Sequence, residues 1–326
     1  MTLRNGTHSW TLVVAGVLAA GLTWHDARLL LTAQGRDAAQ SLRFAVNMTT
    51  VESIPVFLAA EARSGTRIVV TSGGIPQLVD GSADAATNSE TQALLRSVAS
   101  PNLRIVLTVA ECYYRLVARR SAGIQKVSDL RGKRIGTPAT TSAHYHLAKM
   151  LRTAKLAETD VTVVPMPVPE MAAAIKKGDV DAVSGWEPGA QHSVDALGND
   201  AVVFQDRSVY RELFNLNTTT DVLNDPARRR ALVDVVAGIL RASEQVRSRP
   251  AAGWPLLASK INVTEQTIAT VWRDFRFAGS LPGDLMDVLT EEEQWVAAIQ
   301  RREPRGRQAL QSLVDATVLR DARGSR

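Results

Sequence analysis

From Leu42 onward the chain alternates short β-rich runs with helical segments, and this alternation limits the fold more than any other feature. Residues 42–46, 67–71, 103–109 and 115–118 read as strands, and 54–63 as a helix. The middle of the chain repeats the scheme, with strands at 134–136, 161–165 and 182–184 and helices at 142–154 and 169–177. Strands separated by helices of this length pair in parallel, with helices covering both faces of the sheet. The fold class is therefore α/β. From Pro226 the pattern turns helical to the end, with candidates at 231–246, 254–258, 264–275, 285–300 and 308–314. Pro226 suits a first helical turn, and Asn224 or Asp225 can cap it.

One internal echo bears on the number of domains. The stretch from Leu78 to Ala86 has the same form as that from Ile175 to Val183: a helical segment, a Gly, then an Asp–Ala pair leading into a strand. Gly after a helix fits the left-handed position where helices end. The echo implies two similar α/β lobes, for which 326 residues give room, or else a common helix–Gly–strand connection used twice.

The first residues carry a different signal. Arg4 precedes an apolar run at 11–24, too short to span a bilayer comfortably but of the length found in export signals. Ala33 and Gly35 are small residues at the spacing that signal peptidase favours, so residues 1–35 read as a signal peptide cleaved after Gly35, or as an uncleaved anchor. A periplasmic location follows, either free or tethered to the inner membrane. No Cys follows the apolar run, which excludes the usual bacterial lipoprotein anchor.

Composition excludes several classes. The formal charge is +5, but Lys and Arg are interleaved with Asp and Glu, so no nucleic-acid surface is indicated. The single Cys112 rules out an internal disulfide, an iron–sulfur cluster and a multi-thiolate zinc site. His144 and His146 are two apart and so point in different directions on a helix, unlike a metal pair at four-residue spacing. Ser184 before Gly185 lacks the preceding Gly of a nucleophile elbow, and neither a P-loop nor a dinucleotide fingerprint is present. No catalytic residue, cofactor or metal is expected.

Residues 127–136, reading Val-Ser-Asp-Leu-Arg-Gly-Lys-Arg-Ile-Gly, resemble the segment that opens the second lobe of periplasmic substrate-binding proteins of ABC importers. The following Thr140, Thr141, Ser142, Ala143, His144, Tyr145 is similar to the hydroxyl-rich helix start of the taurine, aliphatic sulfonate and nitrate branch. Gly178 to Ala182 and then Gly185, Trp186, Glu187, Pro188 complete the pattern. The resemblance implies a type II periplasmic-binding-protein fold, two α/β lobes joined by a two-strand hinge, with a solute held between them. Lobe 1 would comprise 42–120 and 209–326 and lobe 2 the segment 121–208, with crossings near 116–124 and 202–209. It also implies a monomer that captures a small-molecule solute and passes it to permease subunits and, through them, an ATPase.

Ligands of such sheets sit beyond the carboxyl ends of the strands, where the next helix begins. Thr137, Thr140, Thr141 and Ser142 hold that position in lobe 2, and a helix N-terminus with added hydroxyls can hold an oxyanion without a Lys or Arg. The facing turns of lobe 1 are 47–50, 87–90 and 110–111, which bring Thr49, Thr50, Asn88, Ser89 and Glu111. His144, Trp186 and Glu187 are carried over from the family pattern, Trp186 as an aromatic bordering the solute. Glu111 and Glu187 would repel a simple anion, and a taurine-like zwitterion with its ammonium near one Glu resolves the conflict. Two alternatives remain open. One is a heteroaromatic solute, such as a thiamine pyrimidine precursor, stacked on Trp186 or Tyr145; the related thiamine pyrimidine synthase carries a Cys-rich motif that one Cys cannot supply. The other is a membrane-anchored ligand sensor.

Overall fold

A computed structural model describes residues 41–62 and 66–324. The expected signal segment and its cleavage point lie outside the described residues, among which no helix is long and apolar enough to cross a membrane.

In chain order the main elements are β1 (Ser41–Val46), α1 (Ile54–Glu61), β2 (Arg67–Ser72), α2 (Ile75–Val79), β3 (Ala85–Ser89), α3 (Glu90–Ser97) and β4 (Leu103–Cys112). Next come β5 (Arg115–Arg119), β6 (Arg134–Thr137), α4 (Ser142–Thr153), β7 (Thr162–Pro165), α5 (Val168–Lys177), β8 (Ala182–Gly185), α6 (Gly189–Leu197) and β9 (Ala201–Phe204). The chain then forms β10 (Glu212–Thr219), α7 (Thr220–Asn224), α8 (Pro226–Ser248), α9 (Trp254–Ile261), α10 (Glu265–Val271), β11 (Phe275–Arg276), α11 (Leu285–Gln300), α12 (Arg307–Gln311) and α13 (Thr317–Gly324). At the head of α8 the Asp225 carboxylate accepts from the amides of Ala227 (2.9 Å) and Arg228 (3.1 Å), with Pro226 in the first turn.

The strands form two sheets, in the orders β11-β4-β10-β3-β1-β2 and β7-β6-β8-β5-β9. Their central pairs, β1 with β2 and β3, and β6 with β7 and β8, are parallel. Both sheets are nevertheless mixed, because β10 runs antiparallel to β3 and β4, and β5 runs antiparallel to β8 and β9. These are the strands through which the chain enters each sheet after crossing from the other.

The first crossing is Tyr113–Tyr114, between β4 and β5. Residues 116–119, expected to lie within the crossing, are already inside the second sheet, which therefore starts at Arg115 and not after 120. No Gly or Pro marks the passage, so the β-rich run gives no local sign of where it changes sheet. The return crossing spans 205–211, between β9 and β10.

Alternation along β5 shows how the second sheet is filled: Leu116 belongs to a cluster with Ile135, Leu147 and Leu151, while its neighbour Val117 packs with Met171, Ile175 and Val183. Successive strand residues face opposite sides, so one strand feeds both helix layers. The first sheet is buried by α1, α3 and α8, with Phe44, Phe57, Leu94 and Leu107 essentially inaccessible. Gly81 (φ 77°) and Gly178 (φ 82°) both occupy the left-handed region at the ends of α2 and α5, as the internal echo predicts.

Candidate functional site

A cleft between the two sheets holds about 330 Å³ of empty space, part of it open to solvent. Lobe 1 contributes Asn47, Thr50 and Glu52 from the turn after β1, and Asn88, Ser89 and Gln92 from the end of β3 and the start of α3. Lobe 2 contributes Thr141 and Ser142 at the head of α4 and Trp186 just after β8. Tyr114 of the crossing and Glu212 and Phe214 of β10 close the floor.

The head of α4 points into this space without a side-chain cap. Thr141 is extended (φ −124°, ψ 175°), and its hydroxyl donates to the Pro138 carbonyl (2.7 Å) and accepts from no first-turn amide of the helix. The first-turn amides of a helix left in this way carry partial positive charge. Ser142 Oγ lies 3.0 Å from the Tyr114 hydroxyl and 3.5 Å from Glu212 Oε1, which ties lobe 2 to the floor. Thr140 does not reach the cleft: it is exposed at φ 58°, its hydroxyl donates to the Ala139 carbonyl (2.7 Å), and its amide donates to His144 Nδ1 (3.2 Å). The Thr140 carbonyl accepts from Gln92 Nε2 (2.8 Å), a bond between lobes.

Of the residues singled out in the sequence, Thr50, Asn88, Ser89, Thr141, Ser142 and Trp186 meet at the cleft. Thr49, Glu111, Thr137, His144 and Glu187 join Thr140 outside its lining. Thr49 is exposed, and both its amide (3.0 Å) and its hydroxyl (2.7 Å) donate to Asn47 Oδ1. Thr137 is buried in β6. His144 turns away, its Nε2 2.8 Å from Glu158 and its ring edge-on to Trp295. Glu111 pairs with Arg211 at 3.5 Å. Glu187 is fully buried against Arg115, whose Nε donates to Glu187 Oε1 (2.6 Å), and it also accepts from the Gln191 amide (3.0 Å). Both acids expected to face the solute thus lie against an arginine, and Glu111 shares its arginine with Asp284.

The acids at the cleft are others. Glu52 and Glu212 are 1% and 4% exposed, and their carboxyl oxygens and Cys112 Sγ lie within 4.8 Å of one another. Burial pushes the Glu52 carboxyl up to about 7. Burial, and then the neighbouring Glu52 charge, holds Glu212 well above the usual carboxylate range. A second buried pair lies behind them, where Tyr210 Oη donates to Glu90 (2.8 Å) and Thr91 bonds to Glu292. Burial and the Glu212 charge raise Glu90 to about 8. Among the described residues that line the cleft there is no Lys or Arg. Sequence reading passes over Glu52 and Glu212 because Glu in a turn and Glu at a strand start look like surface residues; tertiary packing buries them, β10 beside β4 for Glu212 and the turn after β1 against β4 for Glu52.

Ser184 and His146 lie together but away from the cleft. Ser184 Oγ lies 2.9 Å from His146 Nδ1, but it donates to the Ala143 carbonyl (2.9 Å), and both side chains are buried off the cleft. Burial lowers His146 to about 3, so its ring is neutral.

Two sheets, two crossings and a polar cleft between them define the periplasmic-binding-protein fold. A sequence model described as NMT1/THI5 like matches residues 70–252, more than half of the 326, and the chain belongs to that family. The taurine-binding periplasmic protein of Escherichia coli is 35% identical over 83 residues, 26% of this chain and 25% of that protein. The chain therefore matches about a quarter of the length of that curated relative. Among solved structures, the periplasmic aliphatic sulphonate binding protein of Escherichia coli superposes with a TM-score of 0.69 at 19% identity, covering 84% of this chain and 97% of the other. A desulfurization enzyme, DSZB, shares the fold with a TM-score of 0.62 at 17% identity, covering 88% and 99%.

Proposed function

We propose that this chain is the extracytoplasmic solute-binding component of an ABC importer. It captures a small sulfonate, nitrate or similar organic anion or zwitterion between its lobes and delivers it to the permease subunits and, through them, the ATPase. The observation that carries this reading is the uncapped head of α4, with Thr141 and Ser142, facing the polar edge of the other sheet at Asn88 and Ser89. Among the described residues the chain passes between the sheets at Tyr113–Tyr114 and at 205–211, and rotation about these two segments would open and close the cleft around a solute. A solute touching both walls favours the closed form, and that differential contact is what a permease can read. Nothing in this cycle needs a reacting side chain, and the names of the taurine and sulphonate relatives agree with it.

A second reading has its own support. Trp186, Tyr114 and Phe214 border the cleft, and the Trp186 Nε1–H is buried without a hydrogen-bond partner, so a flat heteroaromatic solute with an acceptor would find both a stacking surface and a donor. A thermal-shift panel on the full chain separates the two readings, using taurine, ethanesulfonate, nitrate and a thiamine pyrimidine precursor. A solute at a hundredfold excess over its Kd stabilises by about 2.7 kcal/mol, a shift of a few degrees for a chain of this size. A shift with taurine or ethanesulfonate supports the first reading and a shift with the pyrimidine alone supports the second. Silence across the panel overturns both.

A further inference from the structure

The cleft has a floor that a simple anion would meet unfavourably. Glu52 and Glu212 both line it, both are almost wholly buried, and each lies within reach of the other's carboxyl oxygens. The Thr50 hydroxyl bonds to Glu52. Glu212 Oε2 is buried and finds no N–H or hydroxyl donor among the described residues. Of the other acids nearby, Glu187 lies against Arg115 and Glu111 against Arg211, while Glu90 behind the pair accepts from the Tyr210 hydroxyl and the Leu213 amide and Glu292 is bonded by Thr91. A buried carboxyl pair with no cation must be neutralised, either by a proton held between the two groups or by a positive group from outside.

We propose that Glu52 and Glu212 together receive a protonated nitrogen of the solute, so that the cleft selects zwitterions and organic cations over simple anions of the same shape. This rests on reading the cleft as a solute site and moves the positive end of the solute from Glu111 or Glu187 to the floor. The geometry gives the solute two ends. Its ammonium would donate to the Glu52 and Glu212 oxygens, including the unpartnered Oε2, while an acidic group at the other end would meet the first-turn amides of α4 beside Ser142. Ser142 Oγ touches Glu212 Oε1 at 3.5 Å, and both residues line the same cleft as Thr141 and Glu52, so the acid pair and the α4 head face one shared space. Cys112, fully buried beneath the pair, offers no competing positive charge.

The test is calorimetric titration of the full chain with matched pairs that differ in the amino group: taurine against ethanesulfonate, and β-alanine against propionate. The amino member should bind at least about tenfold tighter, as expected for a charge-assisted hydrogen bond to a buried carboxylate. Glu212→Gln keeps the shape but removes the charge, and it should bring the ratio within about threefold; Glu52→Gln serves as the second variant if the first folds poorly. Equal binding of taurine and ethanesulfonate overturns the proposal while leaving the solute-binding reading in place, and so does an unchanged ratio in both Gln variants. If no member of either pair binds, the zwitterion site falls, and the pyrimidine arm of the thermal-shift panel decides whether solute binding falls with it. One equivalent of zinc retained by the purified chain and lost in Cys112→Ser also overturns it, by giving the two carboxyls to a metal.

Discussion

Arg43 and Asp84 in the first lobe make the same contacts as Arg134 and Asp181 in the second. The Arg43 amide (2.9 Å) and Nε (3.1 Å) both donate to Asp84 Oδ2, and its Nη2 donates to Oδ1 (2.8 Å). The Arg134 amide (3.0 Å), Nε (3.2 Å) and Nη2 (2.9 Å) do the same to Asp181. Each Asp amide returns a bond to the Arg carbonyl, at 2.9 Å and 2.8 Å. In both lobes this clamp joins a parallel strand, β1 or β6, to the entry of the strand that follows the glycine-ended helix, β3 or β8. The lobes part company at the cleft. After β1 the first lobe leads into Thr50 and the buried Glu52, whereas after β6 the second leads into Thr141, Ser142 and an open helix head. The repeated parts hold the sheets together, and the proposed binding chemistry lies in the parts that do not repeat.

The largest expected effect comes from breaking the repeated device. Asp84→Ala and Asp181→Ala should each destabilise by about 2–4 kcal/mol, because an inner strand amide and a guanidinium lose their acceptor together. Urea unfolding of the two variants measures this directly, and a loss confined to one of them would break the equivalence of the lobes. At the non-repeated edge the expected change is in binding and not in folding. Trp186→Ala, and separately the double change Thr141→Ala with Ser142→Ala, should weaken the solute found in the thermal-shift panel by about tenfold, with the unliganded melting temperature within about 2 °C of the parent. Unfolding of Trp186→Ala would instead assign that ring to the core.

The smallest effect concerns pH and sharpens the contrast between the acids. Glu52 at about 7 and Glu90 at about 8 bind protons more tightly in the folded chain than in the unfolded one. Their stabilisation is complete below the ordinary Glu pKa and is lost as pH rises through those raised values. Asp181 and Glu293, held down to about 2 by their arginine partners, act in the opposite sense, and their contribution fades only as pH falls below the ordinary carboxylate range. The melting temperature should therefore fall by roughly 2–5 °C between pH 5 and pH 8, and Glu90→Gln should flatten that slope. A flat parent profile would mean that these acids are already charged in the folded chain.

How far the sequence reaches follows the same division. Strands and helices with clean periodicity are legible within a residue or two, as with β1 at Ser41–Val46 and α11 at Leu285–Gln300, because local pattern decides them. The glycine-ended helices were legible through Gly81 and Gly178, since a left-handed residue leaves a compositional mark. The change of sheet at Tyr113–Tyr114 was not, because strand pairing is a long-range choice with no turn residue to announce it. The hydroxyl-rich head of α4 was readable from its position after a strand, yet Thr140 turns outward at φ 58° while its two neighbours turn in. For the acids, sequence supplies the residue type but not the partner. Arg115 takes Glu187 and Arg211 takes Glu111, and Glu52 and Glu212 remain at the floor because the turn after β1 and β10 both pack against β4.

The most direct measurement is a crystal structure of the full chain grown with taurine at saturating concentration. The solute should lie enclosed between the lobes, its sulfonate at the amides beside Ser142 and its ammonium at Glu52 and Glu212. An empty cleft, or taurine bound elsewhere on the chain, would contradict the proposed site.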